Sequence, residues 1–195
     1  MMQDTNRLFP VFLKLEKLSL LIVGGGYVGM EKLSAVLKNA PDTNIRIVAT
    51  VISDEIKDLV KEYPSVTLIE KPFESDDIDG ADVVIAAVND IAVSSSVVKA
   101  ANEKKVLVNA ADKPDLCDFY LGSVVQKGNL KVAISTNGKS PTVAKRLKEV
   151  LNDCLPDELD ELLQNMQIIR NSLKGDFQDK VNQLNDLTKS LVEKK

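Results

Sequence analysis

Along the first 110 residues, short apolar runs alternate with stretches in which apolar residues recur at helical spacing. The helical stretches lie near residues 28–39, 53–60 and 91–102. The apolar runs are typical of buried strands and lie at residues 19–23, 44–49, 66–69, 82–88 and 106–110. This order predicts an α/β fold, a Rossmann-like doubly wound parallel sheet of about five strands. Residues 11–15 predict either a short edge strand or a lead-in to the sheet.

The pattern changes after residue 112. Apolar runs at residues 119–125 and 130–135, joined by the glycine-containing connection 126–129, predict a β-hairpin. Ser140 and Pro141 mark the start of a further helix. Two amphipathic helices follow from residue 157, and the last carries the stripe Val181, Leu184, Leu187 and Leu191. We therefore expect a Rossmann-like domain at 1–113, a small α+β region at 114–150 and a helical domain at 151–195.

A glycine-rich motif directly follows the first central strand. Gly24, Gly26 and Gly29 form G-x-G-x-x-G between that strand and the first predicted helix. In this pattern the first glycine permits a tight turn, the second lets a pyrophosphate approach the backbone, and the third lets the helix pack on the sheet. The helix start offers N–H groups and a positive dipole end to phosphates. The motif therefore predicts a dinucleotide site.

The end of the second strand lacks the acidic residue that normally holds the ribose of NAD. The chain there reads Val48-Ala49-Thr50-Val51, so Thr50 or backbone groups would have to contact the ribose. Two alternatives stay open, namely NAD held without a carboxylate, or NADP. Arg46 is a basic residue nearby, but its place in mid-strand favours a solvent-facing structural role.

Two later strand ends carry polar side chains at the edge where open sheets bind ligands. Asn89 follows the fourth strand, where it either contacts the nicotinamide side of the cofactor or caps the next helix. Asp112 follows the fifth strand and is the best-placed proton acceptor in a chain without histidine. The alternative for Asp112 is an ordinary turn aspartate ahead of Pro114.

A polar loop at residues 135–141 precedes the fourth predicted helix. Its N–H groups, with Lys139, Lys145 and Arg146 nearby, are suited to an anionic substrate. The alternative is an ordinary helix start, capped by Ser140, with a solvated basic face.

Composition excludes several kinds of chemistry. The 195 residues include no histidine, which removes the Ser-His and Cys-His nucleophiles and the usual zinc sites. Cys117 and Cys154 form no C-x-x-C motif, so we expect buried or semi-buried structural thiols of a reducing compartment. A net charge of −4 and the absence of tryptophan disfavour a nucleic-acid partner.

No apolar run approaches the roughly 20 residues of a membrane span. The first eight residues are polar and lack the apolar core of a signal peptide. We therefore expect a cytoplasmic protein with no membrane partner.

Six segments match, in order, the motifs of one known family. They span residues 9 to about 151 and read Phe9-Pro10-Val11-Phe12-Leu13, Val23-Gly24-Gly25-Gly26 with Val28 and Lys32, Pro72-Phe73, Ala86-Ala87-Val88-Asn89-Asp90, Asn109-Ala110-Ala111-Asp112-Lys113-Pro114, and Ser135-Thr136-Asn137-Gly138-Lys139-Ser140-Pro141. The chain resembles the precorrin-2 dehydrogenase and sirohydrochlorin ferrochelatase family, the amino-terminal module of siroheme synthases.

The resemblance implies an NAD-binding domain, a dimerisation region with exchanged strands in a homodimer, and a small helical domain. It implies oxidation of precorrin-2 to sirohydrochlorin with NAD+ as the hydride acceptor. In many members it also implies insertion of Fe2+, a substrate, to give siroheme. The family's key aspartate falls on Asp112, and its cofactor contacts fall on Gly24, Gly25, Gly26, Tyr27, Val28, Gly29, Thr50, Val51 and Asn89.

The implied tetrapyrrole substrate carries several carboxylates, so basic groups should gather around its cleft. One carboxylate could serve both reactions, and no protein metal cage is required. The expected substrate contacts are Asn109, Lys113, Lys139, Ser140, Lys145 and Arg146.

Two positions depart from the family pattern. Glu31 replaces an arginine common after the glycine-rich turn, and Ala49-Thr50 replaces the usual Ala-Pro, which leaves the ribose contacts open. Two alternatives to a bifunctional enzyme remain. One is a dehydrogenase that hands sirohydrochlorin to a separate chelatase, and the other is an NAD-sensing regulatory module whose helical tail binds a partner.

Overall fold

The computed structural model describes residues 5–189. Residues 1–4 and 190–195 lie outside the described residues, and with them part of the polar N-terminal segment, the lysine-rich end and Leu191 of the last predicted stripe. The chain forms two compact units that divide between Leu121 and Gly122. The domain boundaries expected at residues 113 and 150 stay predictions.

Five strands of the first unit form one parallel sheet, which confirms the predicted fold class. Their order is β3-β2-β1-β4-β5, so the chain winds outward in both directions from β1. The strands are β1 Ser19–Val23, β2 Asn44–Ala49, β3 Val66–Glu70, β4 Val83–Ala86 and β5 Leu107–Ala110, and the helices that follow β1, β2 and β4 are α1 Tyr27–Asn39, α2 Asp54–Leu59 and α3 Ile91–Glu103.

Helices cover both faces of this sheet. On one face Leu33 of α1 and Ile56 of α2 pack with Ile22, and on the other Val97 of α3 packs with Val84. All five side chains are buried, and each such burial contributes about 1.5–3 kcal/mol. Because both faces are covered, the central strands β1 and β4 read as continuous apolar runs rather than as alternating ones.

The segment before the sheet is a lead-in and not an edge strand. Apart from a 3₁₀ turn at Leu15–Lys17, residues 5–18 have no regular structure. Its apolar side chains include Phe9 and Phe12, which are 86% and 68% exposed. No strand of the described chain pairs with this segment.

Arg46 has the structural role that its mid-strand position predicts, although it does not simply face solvent. Its guanidinium donates to the carbonyl oxygens of Asp77 at 3.1 Å and Asp79 at 2.7 Å. The side chain therefore fastens the turn at Ser75–Ile78 to β2.

Within the described residues, the second unit is a hairpin followed by three helices. The hairpin strands are β6 Ser123–Lys127 and β7 Leu130–Ile134, and the helices are α4 Pro141–Cys154, α5 Leu159–Ser172 and α6 Phe177–Thr188. The predicted connection at 126–129 is shorter, because only Gly128 and Asn129 separate the strands. Gly128 has φ 54°, and a glycine at the first of two turn positions is what a type II′ turn requires.

The first hairpin strand also begins later than predicted. Residues just before it are bonded to the outer edge of β5, because Asp118 donates its N–H to Val108 and its carboxylate accepts the N–H of Val108. The amide of Asn109 donates to the carbonyl of Phe119 at 2.8 Å. These bonds hold residues 118–119 away from the hairpin and protect the edge of the sheet.

Among the described residues, no helix is long and apolar enough to cross a membrane.

Candidate functional site

The glycine-rich turn lies at the carboxyl end of β1, beside the carboxyl end of β4. Gly24 has φ 124°, and a Cβ there would overlap the carbonyl oxygen of Ala87. A Cβ on Gly29 would overlap the carbonyl oxygen of Gly24. Both positions therefore require glycine, one for turn geometry and one for close packing of α1 on the turn. The crevice between the turns after β1 and β4 is the point where the strand order reverses.

Gly26 differs from its neighbours because a Cβ there would have no atom within 4 Å. It is also the N-cap residue of α1, and no side chain caps that helix. By contrast, Ser53, Asp90 and Ser140 cap α2, α3 and α4 with their side chains. An open glycine at an uncapped helix start fits a dinucleotide pyrophosphate, since the first N–H groups of a helix attract anions.

The turn after β2 borders this glycine turn. Ser53 donates its N–H to the carbonyl of Gly25 at 2.8 Å, and a Cβ on Gly25 would lie 2.5 Å from the carbonyl oxygen of Val51. Thr50 and Val51 are exposed, and Tyr27 beside the glycine turn is 85% exposed. Val28 is half-buried. The structure thus brings the predicted cofactor contacts of β1 and β2 to one edge of the sheet.

Sequence reasoning missed a carboxylate at the turn after β2. Glu70 ends β3, pairs in register with Ala49, and accepts the N–H of Ile52 at 3.2 Å and the ammonium of Lys57 at 2.8 Å. The hydrogen bond from Lys57, and then that from the Ile52 N–H, lower the pKa of Glu70. The sequence carries no direct signal for this contact because it depends on which strands are neighbours.

At the end of β4, the helix-capping role belongs to Asp90 and not to Asn89. The carboxylate of Asp90 accepts the N–H groups of Ala92 at 2.7 Å and Val93 at 3.0 Å. Asn89 is exposed. Its predicted contact with the cofactor stays a prediction, and its alternative as the cap is wrong.

Asp112 lies just past the end of β5, in a left-handed conformation with φ 58°. The turn is fixed on both sides, because Ala111 donates to the carbonyl of Ala86 at 3.0 Å and Lys113 donates to that of Ala110 at 3.2 Å. The Asp112 side chain is exposed. This conformation costs a non-glycine residue free energy, and residues that adopt it cluster at functional sites.

Cys117 fastens this turn from inside. Its thiol donates to the carbonyls of Ala110 and Lys113, 3.2 and 3.3 Å away, and its sulfur accepts the N–H of Ala110 at 3.2 Å. Burial raises the pKa of the Cys117 thiol. Cys117 is therefore a half-buried structural thiol, as expected, whereas the expectation is wrong for Cys154, which is exposed on α4.

Two predicted substrate contacts flank Asp112. Asn109 is 7% exposed and donates its amide to Phe119. The Lys113 ammonium is buried, and among the described residues it has no hydrogen-bond partner. A buried cation without a partner is costly, so Lys113 is suited to an anionic ligand.

The remaining predicted substrate contacts lie in the second unit. The Ser140 hydroxyl accepts the N–H of Val143 at 3.2 Å and so caps α4. Lys139 and Lys145 are exposed, and Arg146 is exposed and paired with Glu149 at 2.7 Å. Within this unit the four residues share the first turns of α4 and the loop before it.

Two family models match the chain. One, described as "Putative NAD(P)-binding", covers residues 11–123, and the other, "Sirohaem biosynthesis protein central", covers residues 127–153. The chain belongs to this NAD(P)-binding family. The glycine turn, the open Gly26 and the uncapped start of α1 agree with that membership.

Curated relatives carry the same match. The chain is 37% identical over 156 residues to the siroheme synthase of Methylococcus capsulatus, which covers 78% of this chain and 32% of that protein. It is 31% identical over 168 residues to the siroheme synthase of Nitrosomonas europaea, which covers 86% of this chain and 35% of that protein. The chain thus spans about a third of the length of these relatives. The resemblance to the amino-terminal module of siroheme synthase is confirmed.

A solved structure, "SirC, precorrin-2 dehydrogenase", superposes with a TM-score of 0.74. It is 25% identical and covers 92% of this chain and 89% of its own. That similarity confirms a Rossmann-like sheet with a helical C-terminal region.

Proposed function

We propose that this chain oxidises precorrin-2 to sirohydrochlorin with NAD+ as the cofactor. Support comes from the similarity to a precorrin-2 dehydrogenase along most of both chains. The observation that carries the proposal is the exposed, left-handed Asp112, which stands at the same strand-end edge as the glycine turn.

Oxidation removes two hydrogens from the macrocycle, one as hydride and one as a proton. When bound, NAD+ supplies the hydride acceptor. Gly26 and the first turn of α1 bind its pyrophosphate, and Thr50, Val51 and Asn89 contact the rest of the cofactor. Asp112 accepts the proton, since a chain without histidine offers few other bases.

Basic residues bind the substrate carboxylates in this proposal. Lys113 is the strongest candidate, because its buried ammonium lacks a hydrogen-bond partner among the described residues. Lys139, Lys145 and Arg146, which are basic residues of the second unit, stay proposed substrate contacts. Asn109 and Ser140 stay proposed contacts, although the Asn109 amide and the Ser140 hydroxyl already bond within the protein.

We further propose that the same site inserts Fe2+, as a substrate, into sirohydrochlorin. Insertion requires loss of two pyrrole N–H protons, and an exposed carboxylate can accept them one at a time and pass each to water. Asp112 therefore serves both steps.

The chain is proposed to act as a homodimer. On α4, Val143, Leu147 and Val150 are 49%, 44% and 55% exposed and lie on one face of the helix. A second copy that covers this stripe would remove it from water. A monomer by light scattering at micromolar concentration would contradict the dimer.

The deciding experiment is anaerobic incubation of the purified chain with precorrin-2 and NAD+. Appearance of NADH together with the sirohydrochlorin spectrum supports the dehydrogenase, and later addition of Fe2+ tests chelation. Absence of NADH with competent substrate would refute the proposal, and NAD+ binding without turnover would favour the regulatory alternative.

Asp112→Asn tests the proton acceptor. Asparagine also tolerates the left-handed conformation, so the turn should persist while the base is lost. We expect turnover to fall on the order of 100-fold with NAD+ affinity unchanged. Asp115→Asn, which removes an exposed carboxylate from the next turn, is the matched control and should retain full activity. Equal activity of the two variants would contradict the role of Asp112.

A further inference from the structure

The turn after β2 obtains its carboxylate from the neighbouring strand. β2 itself ends without an acid, at Ala49 and Thr50. Glu70 at the end of β3 is paired in register with Ala49, and Lys71 donates its N–H to the Ala49 carbonyl at 2.9 Å. The two strand ends are therefore locked together, and Glu70 reaches the turn from the side.

Glu70 contacts both the turn and the helix after it. One carboxylate oxygen accepts the Ile52 N–H at 3.2 Å and the Lys57 ammonium at 2.8 Å. The next residue, Ser53, donates to the carbonyl of Gly25 in the glycine turn at 2.8 Å. Two consecutive N–H groups, those of Ile52 and Ser53, therefore connect the Glu70 carboxylate with the glycine turn.

Both charges of this pair remain accessible to a ligand. The side chains of Lys57 and Glu70 are 42% and 49% exposed. In Rossmann folds this end of β2 is where the adenosine ribose is read, since an acid accepts the 2′-hydroxyl of NAD and a basic group accommodates the 2′-phosphate of NADP. The chain holds one group of each kind here, bonded to each other.

We propose that Glu70, held by Lys57, selects NAD+ over NADP+ in place of the acid that β2 lacks. This inference rests on the proposed function of the site. A ribose hydroxyl can donate to the carboxylate without disturbing the ion pair, because a carboxylate accepts several hydrogen bonds. A 2′-phosphate would meet the negative charge of Glu70, and that carboxylate already offsets the positive charge of Lys57.

The test is a binding measurement that needs no tetrapyrrole. NADH and NADPH are titrated against the full chain by their own fluorescence. The unaltered chain should bind NADH at least tenfold more tightly than NADPH. Glu70→Gln keeps an oxygen for the Ile52 N–H, removes the charge and frees Lys57, so NADPH affinity should rise about tenfold. NADH affinity should fall by roughly threefold, because the ribose hydroxyl then donates to a neutral amide oxygen instead of a carboxylate.

Two further variants make the result specific. Asp58→Asn removes one carboxylate from α2 that pairs with Lys61 at 2.7 Å, so it changes the net charge equally and should leave the NADH to NADPH ratio unchanged. Lys57→Gln alone should weaken NADPH further, because Glu70 then stands without its counter-charge.

The outcomes separate this inference from the proposed function. If the unaltered chain bound neither NADH nor NADPH, both the proposed function and the role of Glu70 would be overturned. Normal NADH binding with a ratio that Glu70→Gln does not move, or an unaltered chain that prefers NADPH, would overturn the role of Glu70 alone.

Discussion

The two units of the chain differ sharply in how completely they bury their apolar residues. Among the described residues, all buried apolar side chains except Val125 and Ala144 lie in the first unit. There the sheet is covered by helices on both faces. The second unit leaves apolar residues exposed on each of its helices, such as Val150, Ile168 and Phe177.

The difference in burial suggests that the two units have different roles. A parallel sheet with two covered faces is rigid, and it fixes the turns that carry Gly26, Glu70 and Asp112. The second unit has a small core and one-sided helices, as expected of a region that needs another surface to complete its packing. We therefore propose that the chemistry takes place in the first unit and that the second unit provides the surface for a second copy.

The largest expected effect comes from the same substitution, isoleucine to alanine, made at a buried position of the first unit and at an exposed position of the second. Ile47 in β2 is fully buried and Ile168 in α5 is 67% exposed. Ile47→Ala should lower the free energy of unfolding by about 3–4 kcal/mol, because it removes contacts and leaves a cavity. Ile168→Ala should change it by less than about 0.5 kcal/mol. Urea denaturation followed by circular dichroism measures both, and a large cost at Ile168 would show that α5 is covered in solution.

Alanine substitutions at two glycines of the first unit distinguish a role in packing from a role in dinucleotide binding. Gly29→Ala places a Cβ against the Gly24 carbonyl, so it should destabilise the fold by roughly 2 kcal/mol. Gly26→Ala meets no atom within 4 Å and has an ordinary φ of −97°. It should leave stability within about 0.5 kcal/mol of the unaltered chain while weakening dinucleotide binding at least tenfold. If Gly26→Ala bound NADH normally, the pyrophosphate would not lie on this turn.

The smallest expected effect is a loss of stability of the second unit at acidic pH. The Asn129 backbone N–H, followed by the Asn129 side-chain amide, lowers the pKa of Asp160 below its ordinary 3.8, and these bonds join α5 to the hairpin turn. The hydrogen bond from Lys127 lowers the pKa of Asp157 in the same way.

A carboxyl group whose pKa is lower in the folded chain stabilises the fold above its ordinary pKa, and that contribution disappears as the pH falls through the folded value. Thermal melts between pH 6 and pH 2 should therefore show helix loss in the second unit below about pH 4. Asp160→Asn should flatten this dependence, and Glu161→Gln one residue along should not. A profile unchanged by Asp160→Asn would show that this bond does not hold α5.

Local patterns in the sequence predicted most of the elements. The run at residues 19–23 and the helix that ends at Asn39 lie where the periodicity placed them. Ser140 caps α4, as its position before Pro141 indicated. The start of β6 was misplaced because Asp118 and Asn109 bind residues 118–119 to β5, and no local pattern encodes that contact.

The sequence also predicted only part of the candidate site. The glycine motif and Asp112 could be found because each directly follows an apolar strand, and parallel strands end at one edge. Glu70 was missed because its role depends on its register with Ala49 in β2, which lies some 20 residues earlier in the chain.

Local sequence patterns were enough to predict the order of strands and helices, the glycine turn and the polar residues at strand ends. These follow from side-chain periodicity and from residues such as Gly24 that permit only certain backbone shapes. The tertiary structure alone decided which strands are neighbours, that Glu70 reaches the turn after β2, and that Cys117 and Asn109 fasten the Asp112 turn. The reason is that pairing between distant segments depends on packing of the whole core, whereas periodicity reports only on each segment's own surroundings.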